Sequence, residues 1–186
     1  MQLNIYLISH PIIQSLSKSV ISSNINTQLN IYEYKYLGFL LTYEISRKWI
    51  KMQNIYVKKI YNIKEISFID PKIEYYICTK IKNTYHMLTD INYILPKITI
   101  LDIESDIHEF QVNFQQYQCN NNKKEFIILD NILSETYIID LIQYLTKENI
   151  PINNINIACI ACNQSILNLI STQYAQLKIY TTKIIS

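Results

Sequence analysis

The stretch Glu125-Phe-Ile-Ile-Leu-Asp130-Asn-Ile-Leu-Ser-Glu-Thr136, continued through Tyr137 to Glu148, decides the fold. Phe126 to Leu129 is a short, isoleucine-rich apolar run, the pattern of a strand covered on both faces. Asp130 closes it. A tight turn follows, with Ser134 as the expected N-cap of a helix in which Ile138, Leu141, Ile142 and Leu145 recur at helical spacing. A strand, a turn and a helix in this order place the turn at the carboxyl edge of a parallel sheet, where ligands bind. A helix N-terminus there suits a phosphate. This turn has no glycine, and Glu135 sits where an anion would approach. It has the position of a phosphate loop without the means to work as one.

Outward from this unit, strands and helices alternate. Ile73 to Thr79, Ile98 to Ile103, Ile155 to Ala161 and Leu177 to Ile185 read as strands. Asn83 to Leu95, stopped by Pro96, and Gln164 to Ser171 read as helices. Before them, Leu3 to Ile8 reads as a strand or extended arm. A helix starts at Pro11, and a longer one runs from about Thr27 to Ile50 with Leu29, Tyr36, Leu37, Leu40, Leu41 and Ile45 on one face. Asn54 to Ile69 is β-branched and aromatic, a pair of strands, and Asp70-Pro71 is a turn. Glu109 to Tyr117 alternates like an edge hairpin, and Asn120 to Lys124 reads as a polar loop. The expectation is an α/β fold with a mostly parallel sheet flanked by helices, in a single domain over 1–186 with a helical N-terminal part at about 11–50.

The totals exclude several functions. Net charge is +2, so nucleic acid is not an expected partner on electrostatic grounds. No run approaches the roughly 18 apolar residues of a membrane span. Gly38 is the single glycine, which excludes Walker-type loops and dinucleotide fingerprints, whose backbones take positive φ. The 16 Tyr and the frequent Ile, Asn and Lys have AT-rich codons, as in an organelle genome. The N-terminus resembles neither a signal nor a transit peptide. Cys159-Ile-Ala-Cys162 has a redox or metal spacing, yet no second pair or His completes a site, so core packing is the expected role. No catalytic residue and no metal set is read from the residues. His10 precedes Pro11 as a turn residue, and His86 and His108 have no metal-spaced partners. Glu104, Asp106 and Glu109 read as a solvated loop. Lys58, Lys59 and Lys64 interleave with Tyr56 and Tyr61, a pattern open to single-stranded RNA or to a plain exposed hairpin.

Nearly end to end, the chain resembles a diverged uracil phosphoribosyltransferase. His10-Pro-Ile-Ile-Gln14 resembles that family's opening His-Pro-Leu-Ile-Gln, and Tyr43-Glu-Ile-Ser-Arg47 its Tyr-Glu-Ala-Thr-Arg. Asp130 to Ile138 falls on Asp-Pro-Met-Leu-Ala-Thr-Gly-Gly-Ser, the loop that grips the ribose phosphate of PRPP. The resemblance implies a phosphoribosyltransferase-like (type I) fold. It makes Asp130, Asn131, Ser134, Glu135 and Thr136 a vestigial PRPP loop, and Lys82, Asn83 and Thr84 a vestigial pyrophosphate loop. The two loop glycines are replaced by Thr136 and Tyr137, and Arg-Ala-Gly-Leu-Gly by Lys82-Asn-Thr-Tyr-His86. The sequence stops at Ser186, before the family's uracil-binding segment. The expected function is therefore a non-catalytic homologue in a structural, regulatory or interaction role, without cofactor. The alternative is an active pyrimidine-salvage enzyme that uses Mg²⁺ and makes UMP and diphosphate from uracil and PRPP. An RNA-binding regulator is a third reading. The resemblance also implies a homodimer, and with the residue usage a plastid (chloroplast) stroma.

Overall fold

The computed structural model describes residues 3–22, 28–103, 110–111, 114 and 122–185. Among these, eight strands and six α-helices follow one another as β1 (Asn4–Leu7), α1 (Pro11–Ser22), α2 (Gln28–Trp49), β2 (Met52–Lys58), β3 (Ile63–Ile69), β4 (Ile73–Thr79), α3 (Ile81–Leu88), α4 (Ile91–Ile94), β5 (Thr99–Asp102), β6 (Lys123–Leu133), α5 (Tyr137–Lys147), β7 (Ile155–Asn163), α6 (Gln164–Gln173) and β8 (Lys178–Ile185). Six strands form one sheet in the order β1-β8-β7-β6-β4-β5, and every pair in it is parallel. The fold is α/β with a parallel six-stranded sheet flanked by helices, as the alternation of strand and helix implied.

The central strands are apolar throughout because neither face meets water. Alternate residues of β6 divide between two cores. Phe126 and Ile128 join Ile138, Leu141, Ile142, Leu145, Ile166 and Ile170 of α5 and α6. Ile127 and Leu129 join Leu37, Leu41 and Ile45 of α2 and Met87 of α3. Cys159 and Cys162 lie buried in the first core, as their packing role requires. Glu44 and Arg47 pair across one helical turn at 3.2 Å. No described helix is long and apolar enough to cross a membrane.

Gly38 has a packing role that periodicity does not reveal. Helices α2 and α3 approach so closely there that an added Cβ would lie 2.5 Å from Met87 Cα and 2.7 Å from its carbonyl carbon. Both atoms are backbone, so no side chain can swing aside.

Several boundaries differ from the sequence reading. The expected helix 83–95 is two, α3 and α4. Thr89 ends the first by donating its hydroxyl to the His86 carbonyl at 2.6 Å, a local bond that competes with helix continuation. The polar Lys123 and Lys124 belong to β6, paired with Ile73 and Glu74 of β4. At its other end β6 passes through Asp130 to Leu133, because pairing with β7 persists to Cys162. The tight turn is thereby moved three residues on. Ser134 does not cap α5; Thr136 holds that position, without a side-chain bond. Of the expected edge hairpin at Glu109–Tyr117, the described Phe110, Gln111 and Phe114 are helical. A spacing of four puts both phenylalanines on one side under either period, and both are buried. The rest of that stretch lies outside the described residues, as do Glu104, Asp106, His108 and the side chain of Leu29.

Gly38→Ala should lower stability by about 1–3 kcal/mol through overpacking, whereas helix propensity alone would raise it by about 1 kcal/mol. The urea midpoint of the variant decides the sign.

Candidate functional site

The candidate site lies at the carboxyl ends of β4 and β6. Strand β4 ends at Thr79, and α3 begins after a single residue, Lys80. The Thr79 hydroxyl donates to the Leu129 carbonyl at 2.7 Å and contacts the Thr84 hydroxyl at the same distance. Those two buried bonds hold the start of α3 against β6. The stretch Lys82–His86, matched to a pyrophosphate loop by resemblance, is therefore helix. Its amides are already used. The N–H groups of Asn83 and Thr84 reach the Lys80 carbonyl at 3.0 and 3.2 Å. The Ile81 N–H donates to Asp102 Oδ1 at 3.1 Å.

Asp130 is 5% exposed, and both of its carboxylate oxygens are engaged. Oδ1 accepts from the Asn131 N–H at 2.8 Å, and Oδ2 from the Tyr137 hydroxyl at 2.7 Å. Burial pushes the Asp130 carboxyl above the ordinary aspartate value, and the bonds from Tyr137 and Asn131 oppose the rise. Burial, and then the adjacent Asp130 charge, push the Tyr137 hydroxyl upward as well, so it stays a donor. Lys80 Nζ forms an ion pair with Glu135 and stands 4.1 Å above the Tyr137 ring. Asn131 donates its Nδ2 to the Asn83 carbonyl, linking the two loops.

The structure thus gathers Asp130, Asn131, Glu135, Asn83 and Thr84 at one edge. Ser134 and Thr136 lie in the turn between β6 and α5, and Lys82 is an exposed residue of the first turn of α3. Sequence reasoning did not single out Lys80, the cation that meets Glu135, or Asp102, or Tyr137 as the donor to Asp130. A signal for Lys80 existed: it is the first residue past a buried strand, where a side chain reaches the ligand edge. His10 lies elsewhere, before α1, and His86 is within α3 beside Tyr85.

A parallel sheet closed at the carboxyl ends of β4 and β6 by a turn and a helix N-terminus is the arrangement of an open α/β protein with its ligand edge there. The family model for uracil phosphoribosyltransferase matches residues 7–185, and the chain belongs to that family. Two relatives named "Uracil phosphoribosyltransferase homolog" are similar over 99% of the chain and 89% of their own lengths. The one from Porphyra purpurea is 28% identical and the one from Pyropia yezoensis 31%. The solved structure of the AQ2163 protein from Aquifex aeolicus superposes with a TM-score of 0.70 at 17% identity, covering 97% of this chain and 86% of that one; it shows the fold.

Tyr137→Phe should cost about 1–3 kcal/mol by leaving a buried oxygen of Asp130 unpaired. Because the folded pKa of Asp130 is raised, the cost of ionising it is absent below the ordinary aspartate pKa of about 4 and grows as pH rises through the folded value. The variant's deficit should be larger at pH 8 than at pH 4 in urea unfolding.

Proposed function

We propose that this chain is a non-catalytic uracil phosphoribosyltransferase homologue, retained for a structural, regulatory or interaction role. One observation supports the reading: the polar groups of the two loops matched by resemblance are already engaged by other side chains of the chain itself. The Tyr137 hydroxyl meets Asp130 as a ribose hydroxyl would, and the Glu135 carboxylate meets Lys80 as a phosphate would. Neither Thr136 nor Tyr137 leaves the open backbone that two glycines provide at that turn. PRPP would have to displace the bond from Tyr137 to the buried Asp130 carboxylate, worth roughly 1.5–3 kcal/mol. An enzyme that holds neither substrate forgoes the roughly 7–11 kcal/mol that positioning contributes.

The same reading assigns the protein to a plastid stroma, supported by its AT-rich residue usage and by relatives in two red algae. It also includes a homodimer. The β2–β3 hairpin supports that element, because it forms a two-stranded sheet of its own. Asn54, Tyr56 and Glu65 form a hydrogen-bonded polar face. Ile55, Ile66 and Val57 share the other face and are exposed. An isolated hairpin is marginally stable in water. Ile60 and Tyr61 extend the exposed apolar surface of this one at the turn, as an interface between copies would use. That face favours a second copy over RNA, despite Lys58, Lys59 and Lys64.

Purified protein with uracil, Mg²⁺ and excess PRPP should form no UMP, and calorimetry with PRPP and Mg²⁺ should show no binding heat. Turnover that Asp130→Asn abolishes would establish the alternative, an active salvage enzyme.

Light scattering should give twice the mass of one chain, reduced to one by Ile55→Lys with Ile66→Lys. A monomeric wild type would remove the dimer from this reading.

A further inference from the structure

A second candidate site, a cavity of about 380 Å³, opens on the same carboxyl edge of the sheet but at its β1 side, where the carboxyl end of β1 meets the last turn of α2. Its lining includes Tyr6, His10, Glu44, Arg47, Lys48 and Tyr180. Strand β1 is three strands from β6, roughly 14 Å at ordinary strand spacing. The cavity is therefore separate from the turn at Asp130, and nothing in its argument depends on whether that turn still works.

Both segments that resemble the family most plainly, His10–Gln14 and Tyr43–Arg47, converge on this cavity, although they are 33 positions apart in the chain, counting from His10 to Tyr43. Gln14 explains how its rim is fixed. Its Nε2 donates to the Ile8 carbonyl at 2.7 Å and to the Thr182 carbonyl at 3.0 Å, tying the end of β1 to β8. The Gln14 N–H reaches the His10 carbonyl at 2.9 Å and sets the turn that carries the imidazole. The rim is thus held before any ligand arrives.

The lining has two chemistries. Tyr6 and Tyr180 stack at 4.9 Å and 16°, which gives a flat aromatic wall. Two cations and one carboxylate make the rest net positive. Arg47 uses a guanidinium N–H on Glu44 at 3.2 Å, out of five donors. Lys48 stands 4.8 Å over the Tyr6 ring, a weaker contact than an ammonium makes with an anion. Pockets of this volume hold small ligands, and a few convergent polar groups on an aromatic wall set their orientation.

We propose that this cavity binds a small phosphate-bearing ligand with an aromatic ring, of mononucleotide size. Its ring packs on the Tyr6–Tyr180 wall, and its phosphate is held by Arg47 and Lys48. Calorimetry reads the occupancy of the cavity, because the single tryptophan, Trp49, is buried against Tyr75 and does not line it.

The test titrates wild-type protein with phenyl phosphate, inorganic phosphate and phenol, which supply both chemistries or one of them. Phenyl phosphate should give a saturable binding heat at millimolar or lower concentration, and bind at least tenfold more tightly than either fragment. Arg47→Gln and Lys48→Gln should each weaken it about tenfold at an unchanged urea midpoint, since both side chains are exposed. Tyr6→Leu should remove the preference over inorganic phosphate. Lys80→Gln, at the other site, should change nothing. No saturable signal, equal binding of phosphate and phenyl phosphate, indifference to both cation substitutions, or loss of binding in Lys80→Gln would each overturn the proposal.

Discussion

Burial of β6 on both faces is the constraint on which the other elements depend. Phe126 to Leu129 pair with β4 on one side and β7 on the other, so no backbone group in this stretch can be left to solvent. Their side chains point alternately into two cores, and each core needs its own layer of helices. Helices α5 and α6 close one face. Helices α2 and α3 close the other, and they approach until only Gly38 fits against Met87. Removing a helix from either side would expose half of every central strand. The parallel connections then carry the carboxyl ends of β4 and β6 to one edge, which is why Lys80 and Asp130 meet there.

Side chains from two loops lock that edge together. The pairing of β6 with β7 runs three residues past Asp130, and the chain enters α5 at Tyr137 with its hydroxyl on the Asp130 carboxylate. Burial alone would make that carboxylate costly to ionise, and the tyrosine offsets part of the cost. Glu135 pairs with Lys80 beside it. Asp130 and Lys80 are thus both partnered by side chains of the protein itself.

The second cavity differs in kind. Its cations are exposed, its carboxylate is spent on Arg47, and its aromatic wall is set by strand pairing at Tyr6 and Tyr180.

Sequence alone determined the alternation of strand and helix. Apolar runs bounded by polar or Pro residues leave one reading for Ile73–Thr79, and β4 has those bounds. It determined the hairpin, from β-branched residues on both sides of a turn, and the loss of a glycine-based phosphate loop, since one glycine cannot supply several positive-φ positions. Only the tertiary structure decided where β6 stops, because the neighbouring strand extends it through polar residues that read as a turn. It also decided that Phe110 and Phe114 are helical, since a spacing of four fits both periods, and that Gly38 serves a close helix crossing. The partners of Asp130 and Lys80 lie 7 and 55 residues away in the chain, and no local pattern encodes which side chains a parallel sheet will bring to one edge.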